Sequence, residues 1–325
     1  MKVALYTPIR NETRIVEFIT HYVLLGFDYF ILFDDNSDKP ISDVLSENNF
    51  DLNMFKVIKN VFYKDIKGIY LGSHWHKLIL PILYEMQMDY LFNIDADEIL
   101  YLKNYTNIKD LINSYSPFDS IYINWLCIGD NIKTNDSDSV INTFTRCPNT
   151  LFPVGKSLVK VSSLSIDGTE NFICPHFIKL KQNSMRKDIY NTIYDSKNIN
   201  LSVSQAPIYL AHYLYQDITT YVERKVCSDL HIEVYYYHVS EYNMRTKLLS
   251  NLKKYKEQII DCVYNNCSDL QIIEMFKEVD DEAFFDFVKS VVNRYNHVLF
   301  DKNMSKNLNV INFHDQLKCL KHNKI

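Results

Sequence analysis

Two aspartates one residue apart, Asp95 and Asp97, close the apolar run Tyr90-Leu91-Phe92-Asn93-Ile94. The run reads as a buried strand, and in an extended chain residues i and i+2 project to the same side. That spacing would set two carboxylates together at a strand end. Such a pair repels itself unless a cation sits between the two, and a hard divalent ion with oxygen ligands meets that need. Mg²⁺ or Mn²⁺ held in this way keeps positions open for the oxygens of a diphosphate. The plainer reading is a surface turn after a strand, where Asp is common.

The elements before this stretch must bring other polar residues to the same edge. Val3 to Thr7 reads as a strand broken by Pro8, followed by Arg10-Asn11-Glu12-Thr13 and by Ile15, Phe18, Ile19, Tyr22 and Val23 at helical spacing. Gly26 stands where a helix favours a left-handed cap. A second strand, Tyr29 to Phe33, runs into Asp34-Asp35-Asn36-Ser37-Asp38. Strand, helix and strand in so short a span form a βαβ unit with a parallel sheet, whose ligands bind at the carboxyl ends of the strands. Arg10, Asn11, Asp34 and Asp35 fall at such ends. A third strand is expected at Met54 to Ile58, then a helix from Ser73 carrying Leu78, Ile79, Ile82, Leu83 and Met86 and bent at Pro81.

With only six Gly in the chain, neither a dinucleotide G-x-G-x-x-G nor a P-loop is present. Phosphate is therefore not held by a glycine-rich loop, and a metal must do that work. From Ser120 the pattern changes to strands at Ile121 to Trp125, Asn142 to Thr145 and Leu158 to Val161, a segment Ile173 to Leu180 interrupted by Pro175-His176, and a last strand at Ile208 to Tyr213. Beyond Tyr221 the period is helical, with candidates at Glu241 to Asn265, Leu270 to Lys277 and Glu282 to His297. The apolar stripe of the last helix is expected to pack on the main domain, and the Lys-rich tail from Asn303 to be partly disordered. The fold class is α/β: a mixed sheet flanked by helices, over residues 1–230, with a helical C-terminal region over 231–325. Residues 1–118 form the nucleotide half of the larger domain and residues 119–230 its acceptor half.

A chain of 325 residues, 47% hydrophobic, can bury a sizeable core. Its net charge of −5 argues against nucleic acid as a partner, and the lysines Lys247, Lys253, Lys254 and Lys256 read as a solvated helix face. Seven scattered cysteines without a C-x-x-C suggest reduced thiols, and no signal-peptide pattern or membrane-length apolar run is seen. A soluble cytoplasmic protein is the expectation.

Taken together, several segments resemble a known family. Asn11-Glu12, the helix with Glu17-Phe18 and His21-Tyr22, Leu25-Gly26-Phe27-Asp28 and the acidic turn Asp34 to Asp38 resemble the opening of GT-A-fold glycosyltransferases. Family 92 matches best, with the family 2-like domains next. Asn93-Ile94-Asp95-Ala96-Asp97-Glu98 is similar to its D-x-D-E element, Asn124-Trp125 through Gly129 to its W-x-x-F-G segment, Gly155-Lys156-Ser157 to its K-S segment, and Ala211-His212-Tyr213 to its H-Y segment. Two departures stand out: Gln216-Asp217 where Lys-Ser is usual, and Cys127-Ile128 in the aromatic segment.

The resemblance implies a GT-A (Rossmann-like) fold. It also implies transfer of a sugar, such as galactose, from a UDP-sugar to a glycan or protein hydroxyl. Asp95 and Asp97 would hold Mn²⁺ or Mg²⁺, with His212 either the third ligand or a structural histidine. Thr7, Arg10, Asn11, Asp34 and Asp35 would line the nucleotide site. Lys156 would balance phosphate charge or lie solvated on the surface. An inverting transfer needs a carboxylate base, for which Glu170, Asp130 and Asp136 are candidates. Trp125 would stack on a sugar or sit in the core. The alternatives are a non-catalytic sugar-binding protein on the same fold, and a sugar-1-phosphate nucleotidyltransferase. The latter's glycine-rich first loop has no counterpart in Thr7-Pro8-Ile9-Arg10-Asn11.

Overall fold

The computed structural model describes residues 1–59, 75–129, 141, 144, 147–165, 176, 178–195, 202–216, 218–227 and 242–299. These fall into two compact units. Among the described residues, one comprises Met1–Leu126 with Thr150–His212, the other Cys127–Asn149 with the residues from Tyr213 to Leu299. The expected domain boundary near residue 230 lies outside the described residues, as does most of the strand expected at Asn142 to Thr145.

The first unit alternates strands and helices. They are β1 (Val3–Ile9), α1 (Ile15–Leu24), β2 (Tyr29–Asp34), α2 (Ile41–Glu47), β3 (Phe55–Lys59), α3 (Trp75–Glu85) and β4 (Tyr90–Asn93). After these come β5 (Glu98–Leu102), α4 (Ile108–Tyr115), β6 (Ser120–Gly129), β7 (Phe152–Lys160), the short β8 (Arg186–Lys187) and β9 (Ile208–Gln216). The strands form one mixed sheet in the order β3-β2-β1-β4-β7-β6-β9-β5, with β8 beside β6. Strands β1 to β4 run parallel, while β7 is antiparallel to both β4 and β6, and β5 to β9. This is the expected α/β class, a mixed sheet flanked by helices.

The central strands are apolar throughout because both faces are covered. Ala4, Tyr6, Ile31, Phe33 and Leu91 pack with Ile79, Leu80 and Leu83 of α3 on one face. Their neighbours Leu5, Phe30, Leu32 and Phe92 are equally buried and point the other way, where Phe92 stacks with Phe27 at 6.4 Å and Phe27 meets Tyr22 of α1. Gly26, at φ +85°, ends α1: Phe27 N–H reaches back to the Tyr22 carbonyl at 3.2 Å, a closure that needs the left-handed backbone.

Pro8 does not break β1, contrary to expectation. The Tyr6 carbonyl accepts from Ile94 and the Ile9 carbonyl from Asp35, so by alternation Pro8 faces the β4 side. There the pairing has already stopped at Tyr6 with Asn93, and its missing N–H breaks no ladder bond. Pro81 lies inside α3.

The second unit holds α5 (Ile218–Tyr221), which continues into a π turn (Val222–Val226), then α6 (Tyr242–Lys254), α7 (Lys256–Tyr264), α8 (Asp269–Met275) and α9 (Glu282–Leu299). The helix expected over Glu241 to Asn265 is two helices, broken at Tyr255. The apolar stripe of the last helix has partners within the helical unit. Phe284, Val288, Val291 and Val292 join Ile259, Val263, Leu252 and Phe276 in a core of the helical unit itself.

Candidate active site

The acidic residues after β4 are not extended. Asp95 to Glu98 make a tight turn in which Glu98 N–H donates to the Asp95 carbonyl at 3.1 Å, and β5 begins at once. The turn, not the pleat of a strand, sets Asp95 and Asp97 on one edge. Glu98 closes it from the other end, its Oε2 accepting from the Asp95 N–H at 2.9 Å.

Two neighbouring strands deliver nitrogen-bearing side chains to this turn. β7 lies antiparallel to β4 with Leu158 opposite Phe92, so Lys156, two residues on, stands beside the strand end. Its side chain is 0% exposed, and its Nζ lies 2.8 Å from Asp95 Oδ2 and 3.7 Å from Glu98 Oε1. The alternative of a solvated surface lysine is therefore corrected: register and two carboxylates hold the ammonium inside. β9 pairs with β5 so that His212 is opposite Glu98, and His212 Nε2 stands 3.6 Å from Asp97 Oδ1. The Asp95 side chain is 43% exposed, while Asp97, Glu98 and His212 are buried.

The electrostatics follow from this arrangement. Burial is the largest single influence on Asp95 and would raise its carboxyl, but the charge and hydrogen bond of Lys156 help to hold it below its ordinary range. Burial drives the Glu98 carboxyl well above the usual carboxylate range, with the Lys156 charge opposing it. Burial works against the Lys156 ammonium, yet the charges of Asp95 and Glu98 raise it above the usual lysine range. Tyr6 is raised by burial and then by Asp95 and Asp35.

An aromatic group lies beside the turn. The Trp125 ring stands 4.4 Å from His212, 4.8 Å from His176 and 6.4 Å from Phe152, and His176 Nδ1 is 3.0 Å from the Gly155 carbonyl. Burial and then the Lys156 charge lower the His176 imidazole. Among the described atoms, His212 Nδ1, Trp125 Nε1, Glu98 Oε1 and Asn124 Oδ1 are buried without hydrogen-bond partners.

At the ends of β1 and β2 the polar residues mostly build loops. Asp34 accepts from Ser37 N–H at 2.9 Å and from Ile41 N–H at 3.3 Å, fixing the turn and the start of α2. Asn11, at φ 50°, ties the two loops together: its side chain bonds Asp38 through Nδ2 at 3.2 Å and accepts the Asp38 N–H at 2.8 Å. Arg10 lies half exposed, its guanidinium 4.0 Å from the buried Asp35 carboxylate. The Thr7 hydroxyl is spent on the Pro8 carbonyl at 3.4 Å. Glu170, Asp130 and Asp136 lie outside the described residues.

Asp95, Asp97, Lys156 and His212 thus meet at one place. Sequence reasoning gave no role to Glu98 or His176. The signal for Glu98 was its place three residues after Asp95, where a side chain can close a turn. As donors, Asp97 Oδ1 and His212 Nε2 suit a hard divalent ion, their separation falling within the roughly 4 Å that two metal bonds span. Asp95 is already paired with Lys156. Among the described residues no group of three His, Cys, Asp or Glu is placed to hold a metal ion.

No curated protein sequence matches the chain. Among solved structures, HddC from Yersinia pseudotuberculosis complexed with GMP-PN is 12% identical, covering 58% of this chain and 89% of that one, with a TM-score of 0.34. A putative glucose-1-phosphate thymidylyltransferase from Bacillus anthracis in complex with sucrose is 14% identical over 43% of this chain and 63% of that one, at a TM-score of 0.24. The family model of glycosyltransferase family 92 matches residues 6–187, more than half of the chain, from β1 through the acidic turn and Lys156 to β8. His212 lies beyond that match. On this evidence of sequence, with the acidic turn inside the matched segment, the chain belongs to glycosyltransferase family 92.

Proposed function

We propose that this glycosyltransferase is metal-dependent and moves a hexose such as galactose from a UDP-sugar to a hydroxyl of a glycan or glycoprotein, with inversion. The observation that carries the reading is the acidic turn at the carboxyl end of β4, with Lys156 and His212 gathered on it. Ligands of parallel sheets collect at that edge. Asp97 and His212 would hold Mn²⁺ or Mg²⁺, with Asp95 beside them. A divalent ion there supplies positive charge against the diphosphate as the bond to the sugar breaks. Lys156 adds a fixed charge of the same sign. Arg10 and Asp35 stand at the adjoining strand ends and would hydrogen-bond ribose and uracil, while Thr7, Asn11 and Asp34 keep that edge in shape. The acceptor's proton would pass to one of Glu170, Asp130 and Asp136 as the oxocarbenium-like centre is attacked.

Calorimetry in Mn²⁺ tests the reading. The protein should bind UDP better than GDP or CMP. Asp97→Asn should lose transfer and weaken UDP binding about 10-fold or more, with a metal-free melting temperature close to that of the unaltered protein. Full transfer in a chelator, or equal binding of the three nucleotides, would rule it out.

A further inference from the structure

The two aspartates of the turn have unlike partners. Asp95 already has a cation, the Lys156 ammonium 2.8 Å from its Oδ2, while Asp97 Oδ1 is 3.6 Å from the His212 imidazole. Lys156 has no exposed side-chain surface, and a second carboxyl, Glu98, lies 3.7 Å away. We propose that Lys156 is a resident cation that occupies Asp95 in the absence of nucleotide, so that a divalent ion binds the turn firmly only together with a nucleoside diphosphate. This rests on the metal-dependent reading above and says how that site is loaded.

The physics is a competition for one set of negative charges. A fixed positive charge at ion-pair distance from Asp95 weakens the attraction of the turn for a second cation, and water screens it poorly because Lys156 is buried. Without Asp95, the described protein donors fall to Asp97 and His212, fewer than a tight site for a hard ion uses. A diphosphate reverses the balance. It brings negative charge for Lys156 and the ion together, and oxygen ligands for the ion. By linkage, the ion must then tighten nucleotide binding by the same factor. Glu98 is the second positioning residue, because its Oε2 fixes the backbone of Asp95 from the far side of the turn.

Titration of Mn²⁺, read by the loss of the free-ion paramagnetic resonance signal, tests this with and without saturating UDP. The unaltered protein should bind Mn²⁺ about 10-fold or more tightly when UDP is present. Lys156→Met should bind Mn²⁺ alone about 10-fold more tightly than the unaltered protein, and gain less from UDP. A merely structural lysine would give the opposite, since its loss would loosen the turn and weaken the metal. Mn²⁺ binding that is equal with and without UDP in the unaltered protein overturns the proposal. So does a Lys156→Met protein that binds Mn²⁺ no better. No Mn²⁺ binding even with UDP overturns the metal-dependent reading and this proposal with it. Should Lys156→Met fail to fold, the double variant Lys156→Met/Glu98→Gln, which also removes the second buried acid, replaces it. The comparison on the unaltered protein stands in either case.

Discussion

Among single residues, His21 shows how a side chain that resembles part of a motif can serve the scaffold. It lies on α1, fully buried, with Nε2 3.0 Å from the Leu100 carbonyl of β5. The neutral ring donates that hydrogen bond, and burial lowers the imidazole to about 4, the bond to Leu100 opposing it. A base whose folded pKa is depressed takes up protons less readily folded than unfolded. Its contribution is therefore complete above about pH 6.5 and lost as pH falls toward 4. The loss should be on the order of 2 kcal/mol between pH 7 and pH 4.5. Urea melts at these two pH values check it, with His21→Gln as the comparison, which can still donate to Leu100 but does not titrate. A variant that loses as much stability as the unaltered protein between the two pH values would clear His21 of the effect.

Among elements, the decisive feature is how strands that are far apart in sequence close around the turn. β5 stands at the edge of the sheet, and α1 covers its free side: the Tyr22 hydroxyl donates to the Glu98 carbonyl and accepts from the Leu100 N–H, each at 2.9 Å. Gly155 performs the matching task on β7. A Cβ there would fall 2.0 Å from the Ile123 carbonyl oxygen of β6, beside the irregularity at Asn124 and Trp125. Gly155→Ala should therefore cost about 3 kcal/mol or more and, by moving Lys156 next door, weaken UDP binding in Mn²⁺. Gly26→Ala is the contrast, because its Cβ would meet only Asn107 Cβ at 3.7 Å and the cost is the left-handed backbone, about 1 kcal/mol. Thermal melts with calorimetry separate the two; equal losses in both would show that the β6–β7 approach is not tight.

These elements also explain what was legible. β4 and its acids were readable because an apolar run ending in D-x-D is a local pattern, and β1, α1 and β2 follow from local period. β5 was missed because it starts directly after the turn with no Gly or Pro to mark it, and its partner β9 lies over a hundred residues further on. The surroundings of Lys156 could not be read from a residue type that is nearly always exposed. Only the antiparallel register of β7 on β4 puts it indoors. The break at Tyr255 and the destination of the last helix's stripe were likewise set by packing rather than by period.

At the scale of the whole molecule, the cores of the two units answer different questions. The sheet positions the acidic turn. The helical unit builds its own apolar centre, in which Phe284 lies 5.1 Å from Phe276 and 5.9 Å from Tyr255, all of which follow β9 in sequence. No described helix is long and apolar enough to cross a membrane. Phe284 is fully buried, and Phe284→Ala should cost about 3–5 kcal/mol, the lost transfer energy plus the cavity left behind. If the units are separate folding domains, that cost falls on one of them. Hydrogen exchange should then show lost protection in α7, α8 and α9, while the amides of β1, β2 and β4 exchange as before. UDP affinity in Mn²⁺, counted per molecule with a protected sheet, should not change. Loss of protection spread evenly over the sheet strands would mean that the chain unfolds as one cooperative body, and the division into two domains would have to be given up.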